Sequence, residues 1–184
     1  GEINGAFGEY ETDYWGVSVK QAIDKMEEAG ILHENMEPIT IATSYLHNTR
    51  AYLVRPYKDK VKTVYVRYNN RYSKEWDYGI FPSRYIRGPH LQNANWPTNK
   101  SILTVYANDV PLTTVVKDDK KFAYSGEKAF KQKDFQSAIA YFNQEVTEYP
   151  QNELAWIKLA MAYVNTRNFA EAEIAADKAL EVAP

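Results

Sequence analysis

The side chains able to do chemistry are few and poorly grouped. Nucleophilic catalysis needs a Ser, Thr or Cys beside a base, yet the chain has no cysteine, three histidines and no Gly-x-Ser-x-Gly sequence. In His33-Glu34-Asn35-Met36-Glu37, a glutamate stands where a zinc-binding helix needs its second histidine, so the stretch fails as a metal motif. His47 and His90 share no ligand spacing and read as surface or loop residues. Glu9, Glu11 and Asp13 alternate, which on an extended segment turns three carboxylates to one side. Calcium would suit such a side, but the glycine and distal glutamate of a calcium loop are missing, and a solvated acidic edge explains the pattern better. No catalytic, metal or cofactor site is read from this chain.

Binding chemistry is better represented. Eleven of the fifteen tyrosines precede residue 119. Trp15, Trp76, Trp96, Tyr72 and Tyr85 are candidates for a sugar-stacking platform, with Asp77 and Asn95 available to bond hydroxyls; packing within a core is the competing use of the same rings. Charge is unevenly spread: residues 1–44 carry two Lys against nine acids (2 − 9 = −7), and residues 45–90 carry ten Lys and Arg against three acids (10 − 3 = +7). The two halves either neutralise each other in the fold or leave a basic face of Arg50, Arg55, Lys58, Lys60, Lys62, Arg67, Arg71 and Lys74, suited to a membrane surface or a phosphorylated ligand. Nucleic acid fits less well, because the whole chain is formally −2 and carries no nucleic-acid motif.

The elements that must position these residues fall into two parts. Residues 1–118 read as a mixed α/β domain. Ser18 with Gln21 suggests a capping box, followed by Val19, Ala22, Ile23 and Met26 at helical spacing as far as Gly30, which predicts a helix over 18–29. Strands are expected at 39–43, 61–68, 78–81, 102–107 and 112–116, with Asn108-Asp109 as a hairpin turn, and a short helix at 46–54 ending before Arg55-Pro56. Residues 84–100 read as a long irregular stretch. No apolar run approaches the roughly 18 residues of a membrane span, and no cleavable signal is visible.

Residues 119–184 repeat themselves. Phe122, Gly126, Phe135, Ala138 and Pro150, moved forward by 34, fall on Trp156, Ala160, Phe169, Ala172 and Pro184. The period and its residues resemble the tetratricopeptide (TPR) repeat, two antiparallel helices per unit with small residues at the close crossings. Two all-α units are expected, 119–152 and 153–184, with Asp134 and Asn168 as helix caps. The resemblance implies a protein or peptide partner, with Leu154, Ile157, Met161 and Val164 lining the groove or packing on a neighbour. Two units leave Leu180, Val182, Ala175, Ala176 and Ala179 without an evident cover, so further repeats or a capping helix are expected.

A second resemblance covers most of residues 6–117. The block from Tyr10 to Gly16, with Asp13-Tyr14-Trp15-Gly16 at its centre, is similar to the segment after the last membrane span of bacterial glycosyltransferases of the dolichyl-phosphate-mannose protein-mannosyltransferase type. Trp76-Asp77-Tyr78-Gly79-Ile80, Trp96-Pro97 and Val110-Pro111-Leu112 agree with it. The resemblance implies a non-catalytic extracytoplasmic or periplasmic domain of a membrane enzyme that uses a lipid-linked sugar, since nothing here matches that family's catalytic loop. The alternatives are a stand-alone repeat scaffold, which would be cytoplasmic, and a carbohydrate-binding module.

Overall fold

A computed structural model describes residues 13, 16–92 and 95–183, and its chain divides into two compact units. One comprises Gly1–Arg71 and Trp76–Asp119, the other Tyr72–Glu75 and Lys120–Pro184.

The first unit is a five-stranded mixed sheet with helices. Its elements are α1 (Val17–Glu28), β1 (Ile39–Thr43), α2 (Leu46–Tyr57), β2 (Val61–Tyr65), β3 (Tyr78–Pro82), α3 (Gly88–Gln92), β4 (Ser101–Ala107) and β5 (Val110–Lys117), with 3-10 turns at Tyr68–Ser73 and Ser83–Tyr85. The strand order is β2-β1-β3-β5-β4. β1 runs parallel to both β2 and β3, and β5 is antiparallel to β3 and β4. Parallel neighbours need a crossover, and α2 supplies the one from β1 to β2. Asn108 and Asp109 both take positive φ, 47° and 64°, as a two-residue turn matched to strand twist requires.

The α1 stripe of Val19, Ala22, Ile23 and Met26 is buried with Ile41, Ile80, Val105 and Val115 of the sheet and Leu53 of α2. Tyr57 joins this core and its hydroxyl donates to Glu27 Oε1 at 2.9 Å; burial, and then that bond, push its pKa up.

Several sequence expectations need correction. The start of α1 is not a capping box: Ser18 lies inside the helix and is buried, and its hydroxyl meets Thr113 Oγ1 at 2.5 Å. Asp13 does the capping, accepting from the amides of Val17 at 2.9 Å and Ser18 at 3.1 Å. α2 continues through Arg55 and Pro56 to Tyr57, so Pro56 removes one i→i−4 bond from the last turn without ending the helix before it. β2 stops at Tyr65, where the chain turns into the 3-10 segment, and the stretch expected to be irregular contains α3.

The second unit holds four helices, α4 (Phe122–Lys131), α5 (Phe135–Glu148), α6 (Glu153–Asn165) and α7 (Phe169–Val182). Its core comprises Ala129, Ala138, Phe142, Val146, Ala155, Leu159, Ala162 and Ala175. Small residues dominate because helices can approach closely only where side chains are short. Ala175 and Ala179, expected to be bare, are buried, whereas Leu180 is 64% exposed. The four residues Tyr72–Glu75, far away in sequence, complete this unit.

Candidate functional site

The two helix turns of the second unit are built alike at the level of single hydrogen bonds. Asp134 N donates to Ala129 O at 3.0 Å and Lys133 N to Phe130 O at 3.0 Å. At an offset of 34, Asn168 N donates to Tyr163 O at 2.9 Å and Arg167 N to Val164 O at 3.0 Å. Lys133 and Arg167 both sit at φ 62°. A backbone that repeats its bonds and its left-handed residue is one structural unit used again. Residues 129–184 match a tetratricopeptide-repeat family.

No curated protein and no solved structure matches the chain. The repeat region therefore rests on the family match and on the geometry. The caps differ between the turns. Asp134 Oδ1 accepts from Ser137 N at 3.1 Å, and these Ser137 bonds lower its pKa; Asn168 makes no side-chain cap. Instead Asn152 caps α6 through Ala155 N at 3.4 Å, a role the sequence pattern did not suggest. Phe135 packs edge-on against Phe130 with ring centroids 5.3 Å apart. Phe169, at the equivalent place, is 65% exposed, and Val164 stands at the position equivalent to Phe130.

On α6 the repeat presents an apolar stripe. Leu154, Ile157, Met161 and Val164 recur at steps of three, four and three, which puts them on one side of a helix. Leu154 is half-buried, while Ile157 and Met161 are 43% and Val164 52% exposed. Ala155, Leu159 and Ala162 occupy the other side of α6 in the core. Lys158 borders the stripe, bonded to Glu127 at 3.0 Å and lying 5.3 Å from the Phe130 ring centroid. Lys131 reaches the same Glu127 at 3.3 Å. The arrangement offers an apolar strip bordered by Lys158, which is paired to Glu127.

The proposed aromatic platform is not assembled. Trp15 lies outside the described residues, as do Glu9, Glu11 and most of the Tyr10–Gly16 block. Trp76 and Trp96 are buried; Trp76 donates its indole N–H to Arg71 O at 2.7 Å and packs against Phe81. Tyr72 is buried in the second unit, where its hydroxyl accepts from Asn152 Nδ2 at 3.1 Å. Among the described members only Tyr85 is exposed, with the Arg84 guanidinium 5.2 Å from its ring centroid. Rings in a core cannot offer a face to a pyranose.

The basic residues divide similarly. Arg50 and Arg55 are exposed on α2, Lys58 follows it, Lys60 and Lys62 lie at β2, and Arg67 lies beyond. Arg71 is not among them: it is buried, donates to Tyr68 O at 3.0 Å and stacks 4.2 Å from the Tyr68 ring centroid. Lys74 belongs to the second unit. No helix among the described residues is long and apolar enough to cross a membrane.

Proposed function

We propose that the protein is a non-catalytic binding module whose repeat region takes a protein or peptide segment along the outward side of α6. The observation that carries this reading is the exposed run Ile157, Met161 and Val164 within the family match, because a contiguous apolar strip facing water is a contact surface in waiting. A segment with apolar residues at matching intervals complements the strip.

Peptides selected from a displayed library on the full-length chain test the reading. Met161→Glu is expected to weaken their binding at least tenfold, with stability changing by no more than about 0.5 kcal/mol for an exposed site. Peptides that bind the variant as well as the parent would place recognition elsewhere.

A second reading concerns the setting of the module. The Asp13-Tyr14-Trp15-Gly16 block and the later agreements support an extracytoplasmic domain appended to a lipid-linked-sugar glycosyltransferase. Protease accessibility of the natural full-length product in spheroplasts separates this from a cytoplasmic scaffold. Cleavage from outside fits the first, and protection in intact spheroplasts leaves the second. The carbohydrate-module alternative predicts sugar-dependent quenching of tryptophan fluorescence.

A further inference from the structure

The outward side of α2 gathers positive charge that peptide recognition by the repeats leaves unused. Across residues 45–67 six Lys and Arg stand against one acid, Asp59, a local balance of 6 − 1 = +5. Thr49, Leu53 and Tyr57 are buried and fix the inner side of the helix. At 3.6 residues per turn the opposite side carries His47, Ala51 and Arg55, Arg50 stands on the flank, and Lys58 follows just past the end; all five are exposed. Arg50, Arg55, Lys58, Lys60, Lys62 and Arg67 make no side-chain ion pair among the described residues. An open hollow of about 760 Å³ lies on this side, lined by His47, Arg50, Ala51, Tyr52, Arg55 and Pro56.

Helix stability explains only part of this cluster. Cations near a helix C-terminus complement the partial negative charge of its free carbonyls, which accounts for Arg55 and Lys58. Arg50 and His47 lie earlier in the helix, and Lys60 and Lys62 belong to the edge strand and its approach. Like charges this close repel one another unless an anion joins them. Ala51 falls between the two arginines around the helix, and its short side chain leaves room between them.

We propose that this hollow binds a phosphate-bearing ligand, gripped by the guanidinium groups of Arg50 and Arg55, with His47 also in its lining and Lys58 following just past the helix end. A guanidinium fork matches two phosphate oxygens at once, whereas an ammonium acts as a point charge, so the two arginines supply direction and the lysine supplies field. A phosphate dianion offsets much of the local excess. The phosphate belongs either to a soluble molecule or to a lipid headgroup, and the chemistry of the grip is common to both.

The test uses the full chain with two probes, inorganic pyrophosphate followed by calorimetry and phosphatidylglycerol-containing phosphatidylcholine vesicles followed by co-sedimentation. Arg50→Gln with Arg55→Gln is compared with a charge-matched control, Lys25→Gln with Lys128→Gln. Saturable pyrophosphate binding that weakens about tenfold or more in the arginine variant and holds in the control supports the site and assigns it to a soluble phosphate. Vesicle binding that depends on phosphatidylglycerol and on the arginine pair, without pyrophosphate binding, supports it and assigns a headgroup. Equal losses in both variants, or no binding of either probe, overturn it. If the arginine variant fails to fold, amide shifts of the parent chain decide. Shifts centred on residues 47–58 support the site, and shifts centred elsewhere overturn it.

Discussion

A methyl group on Gly126 would sit 2.7 Å from the ring of Phe142, closer than carbon atoms approach one another. At the equivalent places in the following pair of helices stand Ala160 and Ala176, so the close match of a glycine to a large ring belongs to the first pair alone. Gly126→Ala gains up to about 1 kcal/mol of helix propensity. It also forces overpacking that costs about 1–3 kcal/mol. Net destabilisation is expected in thermal unfolding, and Gly126→Ala with Phe142→Leu should recover part of it. The small residue was legible from the repeat, but its partner was not, since no pattern in the chain states which ring leans on which glycine. The aromatic residues mislead for a related reason. Trp76, Trp96 and Tyr72 have the composition of a sugar platform and of a core alike, and only their neighbours decide between the two.

Helix ends carry the next level of information. Asp134 caps α5 through Ser137, and the cap is stronger while the carboxylate is ionised. Its pKa is lowered in the folded chain by the Ser137 bonds. The folded state thus binds the proton less readily than the unfolded one, so the stabilisation is complete above the ordinary carboxylate range and fades as pH falls through the lowered value. Asp134→Asn keeps a capping oxygen without the charge. It should flatten that part of the pH dependence of α5 stability, followed by amide exchange between neutral and acid pH; an unchanged profile would show that the cap contributes nothing there. Asp134 could be read in the sequence because it directly precedes its helix. Asp13 caps α1 from outside the local motif, whereas Ser18 has the more conventional capping sequence. The β4–β5 hairpin was legible from Asn108-Asp109, whereas the passage of α2 through Pro56 was not, because a proline in the last turn looks the same in sequence as one that stops a helix.

Over the whole chain, periodicity exposed the two parts but not the stitch in the second. Asn152 Nδ2 donates to Glu145 Oε1 at 2.6 Å and to Tyr72 Oη at 3.1 Å, all three residues buried, and Tyr72 comes from the segment Tyr72–Glu75. No sequence pattern links residues eighty positions apart. Removing the hydroxyl with Tyr72→Phe should lower stability by about 1 kcal/mol, the typical worth of one buried hydrogen bond, with the helices otherwise intact by circular dichroism. Residues 119–184 alone lack the whole segment and should unfold broadly and early; a sharp independent transition would show that the segment is dispensable. The same four residues bear on how the chain acquires its structure in time. During synthesis Tyr72–Glu75 emerges long before α4–α7, so this early-made piece has to wait for the late-made helices, and closing that long loop carries an entropic cost that adjacent helices do not incur. Helical repeats ordinarily assemble quickly from neighbours in sequence. Here the last step is expected to be slower than the local helix contacts suggest, set by the return of one tyrosine to its asparagine.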